Sequence, residues 1–130
     1  MIENALAAEK DVDCMTDLSM SGVYTGKKIG FPPCTPQACM EILDHYGIDC
    51  TGKKAVVIGR SLVVGKPAAM MLVKKNATVT ICHTKTVDMP SVAKEADIVN
   101  KDQKVVSVEK NTMVNASETE STTETAVLED

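Results

Sequence analysis

The 130 residues contain no tryptophan, one phenylalanine and two tyrosines. The core must therefore be built from aliphatic residues, methionine and cysteine, and no stacking platform for single-stranded nucleic acid is expected. No apolar run approaches the ~20 residues that a membrane span needs. The opening stretch, MIENALAAEKDVD, carries acids and no extended apolar core, so a signal peptide is not expected. Cys-x-x-Cys pairs are absent too. The five cysteines, Cys14, Cys34, Cys39, Cys50 and Cys82, are odd in number and widely spaced. That spacing speaks against a disulfide framework or a zinc site, and for reduced thiols in a cytoplasmic protein. The net charge of −4 argues against a broad surface for a nucleic-acid backbone, but leaves room for a small local anion site.

What is present is ordinary in bulk, with 44% apolar and 25% charged residues, enough for one domain with a modest core. Residues 1–32 show no sustained period and are broken by Gly22, Gly26, Gly30, Pro32 and Pro33. They read as turns and short extended pieces between two structural units, with KDVDC as a possible short strand. The segment PCTPQACMEILDHYGID then predicts a helix over 36–46. Thr35 suits its N-cap, Pro36 its first turn and Gly47 its stop, and Ala38, Cys39, Ile42, Leu43 and Tyr46 share one face.

GKKAVVIG reads as a buried parallel strand. A helix should start near Gly65 or Lys66 and run to about residue 75, packing Ala68, Met71 and Leu72 on the sheet, with Val73 at the margin of that face. ATVTIC is the next strand, residues 90–95 a short helix, and ADIV opens a third strand. Strand, helix, strand, helix, strand is the first half of a doubly wound α/β sheet. KVVSVE is a further candidate strand. From Asn111 on, Thr, Ser and acidic residues fill 12 of 20 positions, with no Lys or Arg, and that composition predicts a disordered tail.

The turn between the first strand and its helix, GRSLVVG, bears the chemistry. A strand ending at Gly59 and a helix starting near Gly65 aim backbone N–H groups and the positive end of the helix at one spot. Gly59 removes the Cβ that would obstruct a phosphate. Arg60, Ser61 and Lys66 add two cations and a hydroxyl. An ordinary β–α turn with solvated charges remains the alternative. In an NAD site the second strand usually ends in an acid that binds the ribose hydroxyls. Here it ends Cys82-His83-Thr84-Lys85-Thr86, which favours NADP over NAD. His83 reads either as a loop histidine with a local hydrogen bond or as a catalytic group.

KDVD, PCTP, GIDCTGKKAVVIGRSLVVGKPAAMML, NATVTICHTKT and ADIV together resemble the bifunctional methylenetetrahydrofolate dehydrogenase/methenyltetrahydrofolate cyclohydrolase family, over about residues 9–99. The resemblance implies a partial Rossmann-like NADP-binding domain of α/β class, preceded by an interlobe segment and linking helix. Residues 1–47 would end the catalytic lobe and form the linking helix, 48–100 would be the first half of the cofactor domain, and 101–130 a tail foreign to the family. It implies cofactor contacts at Gly59, Arg60, Ser61, Gly65 and Thr84, with Arg60 and Thr84 near the 2′-phosphate. It also implies that Asp13 holds the pterin of a tetrahydrofolate, since a carboxylate can accept from an amino group and a ring N–H together. Cys14 stands where the family has glycine.

The family oxidises 5,10-methylenetetrahydrofolate with NADP and hydrolyses the product to 10-formyltetrahydrofolate. It uses a lysine in a Tyr-x-x-x-Lys motif upstream of KDVD. These 130 residues hold no such motif there, and Tyr24-Thr25-Gly26-Lys27-Lys28 reads as a turn with solvated lysines. No catalytic residue is therefore assigned, and the chain alone is expected to be inactive. A truncated NADP-binding module and a non-functional fragment are the other readings. Tetrahydrofolate derivatives are the implied partners, with a homodimer as in the family, and without nucleic acid, membrane or metal.

Overall fold

A computed structural model describes residues 5–101 and the backbone of 104–107 and 112–115. The elements in order are helix α1 (Asp17–Thr25), helix α2 (Cys34–His45), strand β1 (Lys54–Ile58), helix α3 (Gly65–Lys74), strand β2 (Thr78–Cys82), helix α4 (Met89–Lys94) and strands β3 (Ile98–Lys101), β4 (Lys104–Ser107) and β5 (Thr112–Asn115). The strands form one sheet in the order β2-β1-β3-β4-β5. β2 and β3 run parallel to β1 on either side of it, with Ile58 opposite both Cys82 and Lys101. β4 is antiparallel to β3, and β5 to β4. This is the partial Rossmann-like α/β sheet that the sequence predicts.

Alternation along β1 separates two cores. Ala55 and Val57 face Cys39 and Leu43 of α2, Ala69 and Leu72 of α3, and Ile98 of β3. Val56 faces the other way, toward Cys82 and Ala96, with Val92 and Met89 of α4 packed against them. Both faces are thus covered, as a parallel sheet requires. Leu43, Val57 and Leu72 are essentially inaccessible, and truncating a leucine in such a place typically costs about 2–5 kcal/mol. Val73, at the margin of the expected apolar face of α3, turns outward instead. Asp97 clamps the start of the sheet, accepting from Lys54 N–H at 2.8 Å through its carboxylate while its own N–H donates to Lys54 O at 2.8 Å.

Three differences from the sequence reading have physical causes. KDVDC is not a strand. The buried Asp11 carboxylate accepts from Met15 N, Thr16 N and Thr16 Oγ1, each at 2.8 Å, and winds the backbone around itself. Cys14, at φ +57°, is in the left-handed region, which an extended strand cannot contain. The second difference is α1, where the sequence shows no period. Thr16 caps it by accepting from Ser19 N at 3.1 Å, Gly26 ends it at φ +71°, and its buried residues are the small Ser19 and Gly22. Third, the backbone of Thr112–Asn115 is a strand paired to β4, although the composition from Asn111 onward predicts disorder. The β-branched and apolar residues Thr112, Met113 and Val114 suit a strand once β4 offers its edge. The remainder of that expectation lies outside the described residues. Among the described residues no helix is long and apolar enough to cross a membrane.

Candidate functional site

The strand order decides where a ligand can sit. β1 sends its chain to one side through α3 and β2, and β3 returns on the other side. The C-terminal end of β1 is therefore the point where the winding reverses, and open α/β sheets bind ligands in the crevice at that point. The loop 59–64 leaves β1 there.

Within the loop each residue type has a structural reason. Gly59 adopts φ +125°, which is open to glycine and strained for other residues. Its N–H donates to Cys82 O at 2.8 Å, so the loop starts tied to the end of β2. A Cβ added to Gly59 would meet nothing within 4 Å, so the turn faces open space. Gly65 is the opposite case. A Cβ there would overlap the Gly59 carbonyl and stand 2.8 Å from the Arg60 nitrogen. The helix start is thus packed directly on the strand end.

Ser61 organises the space between the two glycines. Its Oγ accepts from Val64 N at 3.1 Å and Gly65 N at 3.3 Å, and its carbonyl accepts from Lys66 N at 3.0 Å. These bonds answer N–H groups that the sequence alone suggests aim at a ligand. A hydroxyl that accepts in this way still carries its own proton for donation. Arg60 and Lys66 are exposed at the two ends of the loop, and no carboxylate occurs between residues 59 and 87. The space at Gly59, the two cations, the Ser61 hydroxyl and the N-terminus of α3 fit a phosphorylated cofactor.

The end of β2 runs beside this loop, because Cys82 is in register with Ile58. Residues 83–86 form a tight turn in which His83 N donates to Thr86 Oγ1 at 2.8 Å and Thr86 N to His83 O at 2.8 Å. His83 Nδ1 accepts from Lys85 N at 3.2 Å, which is the local hydrogen bond of a loop histidine. Thr84 is exposed at the tip of the turn. Gly59, Arg60, Ser61, Gly65 and Thr84 thus lie past the C-terminal ends of β1 and β2, at one end of the sheet.

Asp13 belongs to a different place. It is exposed, and its Oδ1 accepts from Cys34 N at 3.0 Å. This bond explains why α2 starts at Cys34, ahead of the expected position. Pro33 has no side chain able to cap the helix, so a carboxylate 21 residues upstream does so and complements the helix dipole. The Asp13 carboxylate also pushes the Cys34 thiol up from its ordinary value, by hydrogen bond and by charge.

Asp11 is not among the residues that the sequence singles out. Its burial alone would raise the pKa, but hydrogen bonds from Met15 N–H, the Ser19 hydroxyl, and the N–H and hydroxyl of Thr16 outweigh that and hold the carboxyl well below the usual range. The signal was legible as an Asp followed by the capping pair Thr16 and Ser19. No cluster of His, Cys, Asp and Glu able to hold a metal exists among the described residues.

Comparison with known proteins agrees with this geometry. Residues 33–128 match the tetrahydrofolate dehydrogenase/cyclohydrolase, NAD(P)-binding domain family. The match continues past the last motif read in the sequence, at ADIV. The chain is 56% identical over 99 residues to the bifunctional protein FolD of Alkaliphilus oremlandii, covering 76% of this chain and 35% of that protein. It is 56% identical over 98 residues to the FolD of Clostridium botulinum strain Langeland, covering 75% and 35%. The chain therefore spans about a third of the length of these relatives.

Among solved structures, the bifunctional FolD dehydrogenase/cyclohydrolase of Campylobacter jejuni superposes with a TM-score of 0.75 at 40% identity, covering 78% of this chain and 36% of that one. The Trypanosoma brucei dehydrogenase-cyclohydrolase, solved with NADP cofactor and an inhibitor, gives 0.70 at 32% identity, covering 76% and 34%. With a switch-point loop closed by two glycines and a match that begins at Pro33 and runs through the whole described sheet, this chain belongs to the tetrahydrofolate dehydrogenase/cyclohydrolase NAD(P)-binding domain family.

Proposed function

We propose that the chain is the cofactor half of an NADP-dependent 5,10-methylenetetrahydrofolate dehydrogenase and 5,10-methenyltetrahydrofolate cyclohydrolase. The observation that carries this reading is the 59–65 loop at the switch point, cationic at both ends and free of carboxylates. When bound, NADP would accept a hydride from the methylene carbon of the folate. The chain's residues bind and orient. Gly59 admits the pyrophosphate, Ser61 donates its proton to a phosphate oxygen, and Gly65 holds the start of α3 against the strand.

Arg60 and Thr84 receive the 2′-phosphate, where an acid would repel it. Asp13 would meet the pterin with its carboxylate. One of its oxygens already accepts from Cys34 N, which fixes the group's orientation. The family's Tyr-x-x-x-Lys lies upstream of KDVD, whereas Tyr24 and Lys28, which repeat its spacing, lie downstream of Asp13, so these 130 residues alone lack general acid–base help worth roughly 10²- to 10⁴-fold. The chain then acts as an NADP-binding module. A homodimer and a cytoplasmic location complete the proposal, the latter in keeping with five free cysteines.

Titration of NADPH fluorescence, beside an assay with methylenetetrahydrofolate, tests the reading. Saturable NADPH binding without turnover is expected. Absence of NADPH binding by the folded chain overturns the reading, and measurable turnover overturns the inactivity of the chain alone. Sedimentation of the same sample reads the oligomeric state.

A further inference from the structure

We infer that the chain carries a second anion site, remote from the cofactor loop, which takes a small organic anion with an apolar body, of the arylalkyl carboxylate class. A cavity of about 480 Å³ opens between the end of α1, the segment after it, α2 and the last turn of α3. Its volume lies in the range of small-molecule sites, about 300–1,000 Å³. Val23, Ile29, Met40 and Met71 supply apolar walls. Lys27, Lys28, Lys74 and Lys75 also line it. Among the described residues Asp44 is the one carboxylate in the lining, and it pairs with Lys75 Nζ. The other three lysines meet no carboxylate of the described lining, which therefore carries a surplus of positive charge.

The two pairs of lysines come from separate parts of the chain. Lys74 and Lys75 sit at the C-terminus of α3, where cations complement the helix dipole. That explanation does not extend to Lys27 and Lys28. They arrive because the chain folds back on α1 after Gly26. Gly22 makes this possible, since a Cβ there would lie 2.9 Å from Ile29 Cβ and 3.1 Å from Lys27 O. The fold thus brings two unrelated basic pairs to one apolar hollow.

An inorganic anion would leave the apolar walls wet, and a neutral apolar molecule would leave the lysines unanswered. An anion with an apolar body satisfies both. The cofactor loop is at the first residue of α3 and the cavity at its last turn, about 15 Å apart along a ten-residue helix. The two sites can therefore be filled independently.

The test is methyl NMR of the full chain labelled at its methionine methyls, titrated with phenylbutyrate. Met40 and Met71 should shift saturably. Met89, which packs on the opposite face of the sheet, should not. The neutral phenylbutyramide and inorganic phosphate should each leave Met40 and Met71 in place. Saturating NADPH should not displace phenylbutyrate. The double variant Lys27→Glu/Lys28→Glu, at two exposed positions, should weaken binding by about tenfold or more, with Met89 unmoved as the sign of an intact fold. Non-saturating shifts, an equal response of Met89, an equal response to the amide, displacement by NADPH, or unchanged affinity in the folded double variant would each overturn the inference.

Discussion

Gly65 is packed on Gly59 so closely that a single added carbon would overlap the Gly59 carbonyl. The obstacle is backbone at the end of a central strand, which cannot swing aside as a side-chain tip can. Gly65→Ala should therefore destabilise the fold by about 2–3 kcal/mol, in the range of overpacked cores. Thermal melting checks this, and an unchanged midpoint would show that the strand end yields. NADPH affinity should fall in the same variant, because the loop must move to admit the methyl group.

Arg60 should discriminate between cofactors. A charge-assisted bond to a 2′-phosphate contributes about 1.5–3 kcal/mol, or roughly 10- to 150-fold in affinity. Arg60→Ala should lose that much for NADPH and less than about threefold for NADH, which has no phosphate there. Paired fluorescence titrations of both cofactors measure the difference. Equal losses for both would place Arg60 on the pyrophosphate.

Asp11 links stability to pH. Its carboxyl is held below the usual range in the folded chain, so the unfolded state binds the proton more readily. Its contribution is then fully present above the unfolded pKa of about 3.9 and is lost as pH falls below that value. The melting temperature should fall steadily as the pH drops below about 4, and Asp11→Asn should flatten much of that slope. At neutral pH the variant should melt lower. An amide has one acceptor oxygen where the carboxylate has two, and Met15 and Thr16 use both. An identical pH slope in the variant would assign the acid sensitivity to another group.

Asn100 is a buried residue of β3 whose Nδ2 makes no full hydrogen bond among the described residues and has only the weakly accepting Cys39 thiol beside it. Leaving such a donor unpaired costs about 1–3 kcal/mol. Asn100→Val removes the amide and places a β-branched residue in a strand, so it should raise stability by about 1 kcal/mol. Denaturant unfolding reads the change. A loss of stability would mean that the amide is satisfied in solution, by water for instance.

Much of this architecture is legible in the sequence because residue type and backbone demand coincide. Proline and glycine punctuate α2 and α3, and β-branched runs mark β1 and β2. The glycines of the loop could be read for the same reason. α1 is silent because it buries Ser19 and Gly22, and a hydrophobic period cannot register small polar contacts. The turn at KDVDC reads as extended because Cys14, not glycine, takes the left-handed conformation there. The sequence shows Asp11 ahead of the capping pair Thr16 and Ser19, but not the burial that makes the turn fold around it. The side of β1 on which β3 lands is equally hidden, since the same alternation of strands and helices serves either placement.

That placement has a bearing on how such domains can be cut and joined. The switch point needs β1 with a parallel strand on either side, and β1, β2 and β3 provide all three within residues 54–101, while α2 covers one face of β1. A break between β2 and β3 removes one of the three strands, and a break between α2 and β1 uncovers that face. The smallest heritable unit of this cofactor cradle therefore runs from α2 to β3, short enough to be carried whole by a gene fusion or a single exchanged segment.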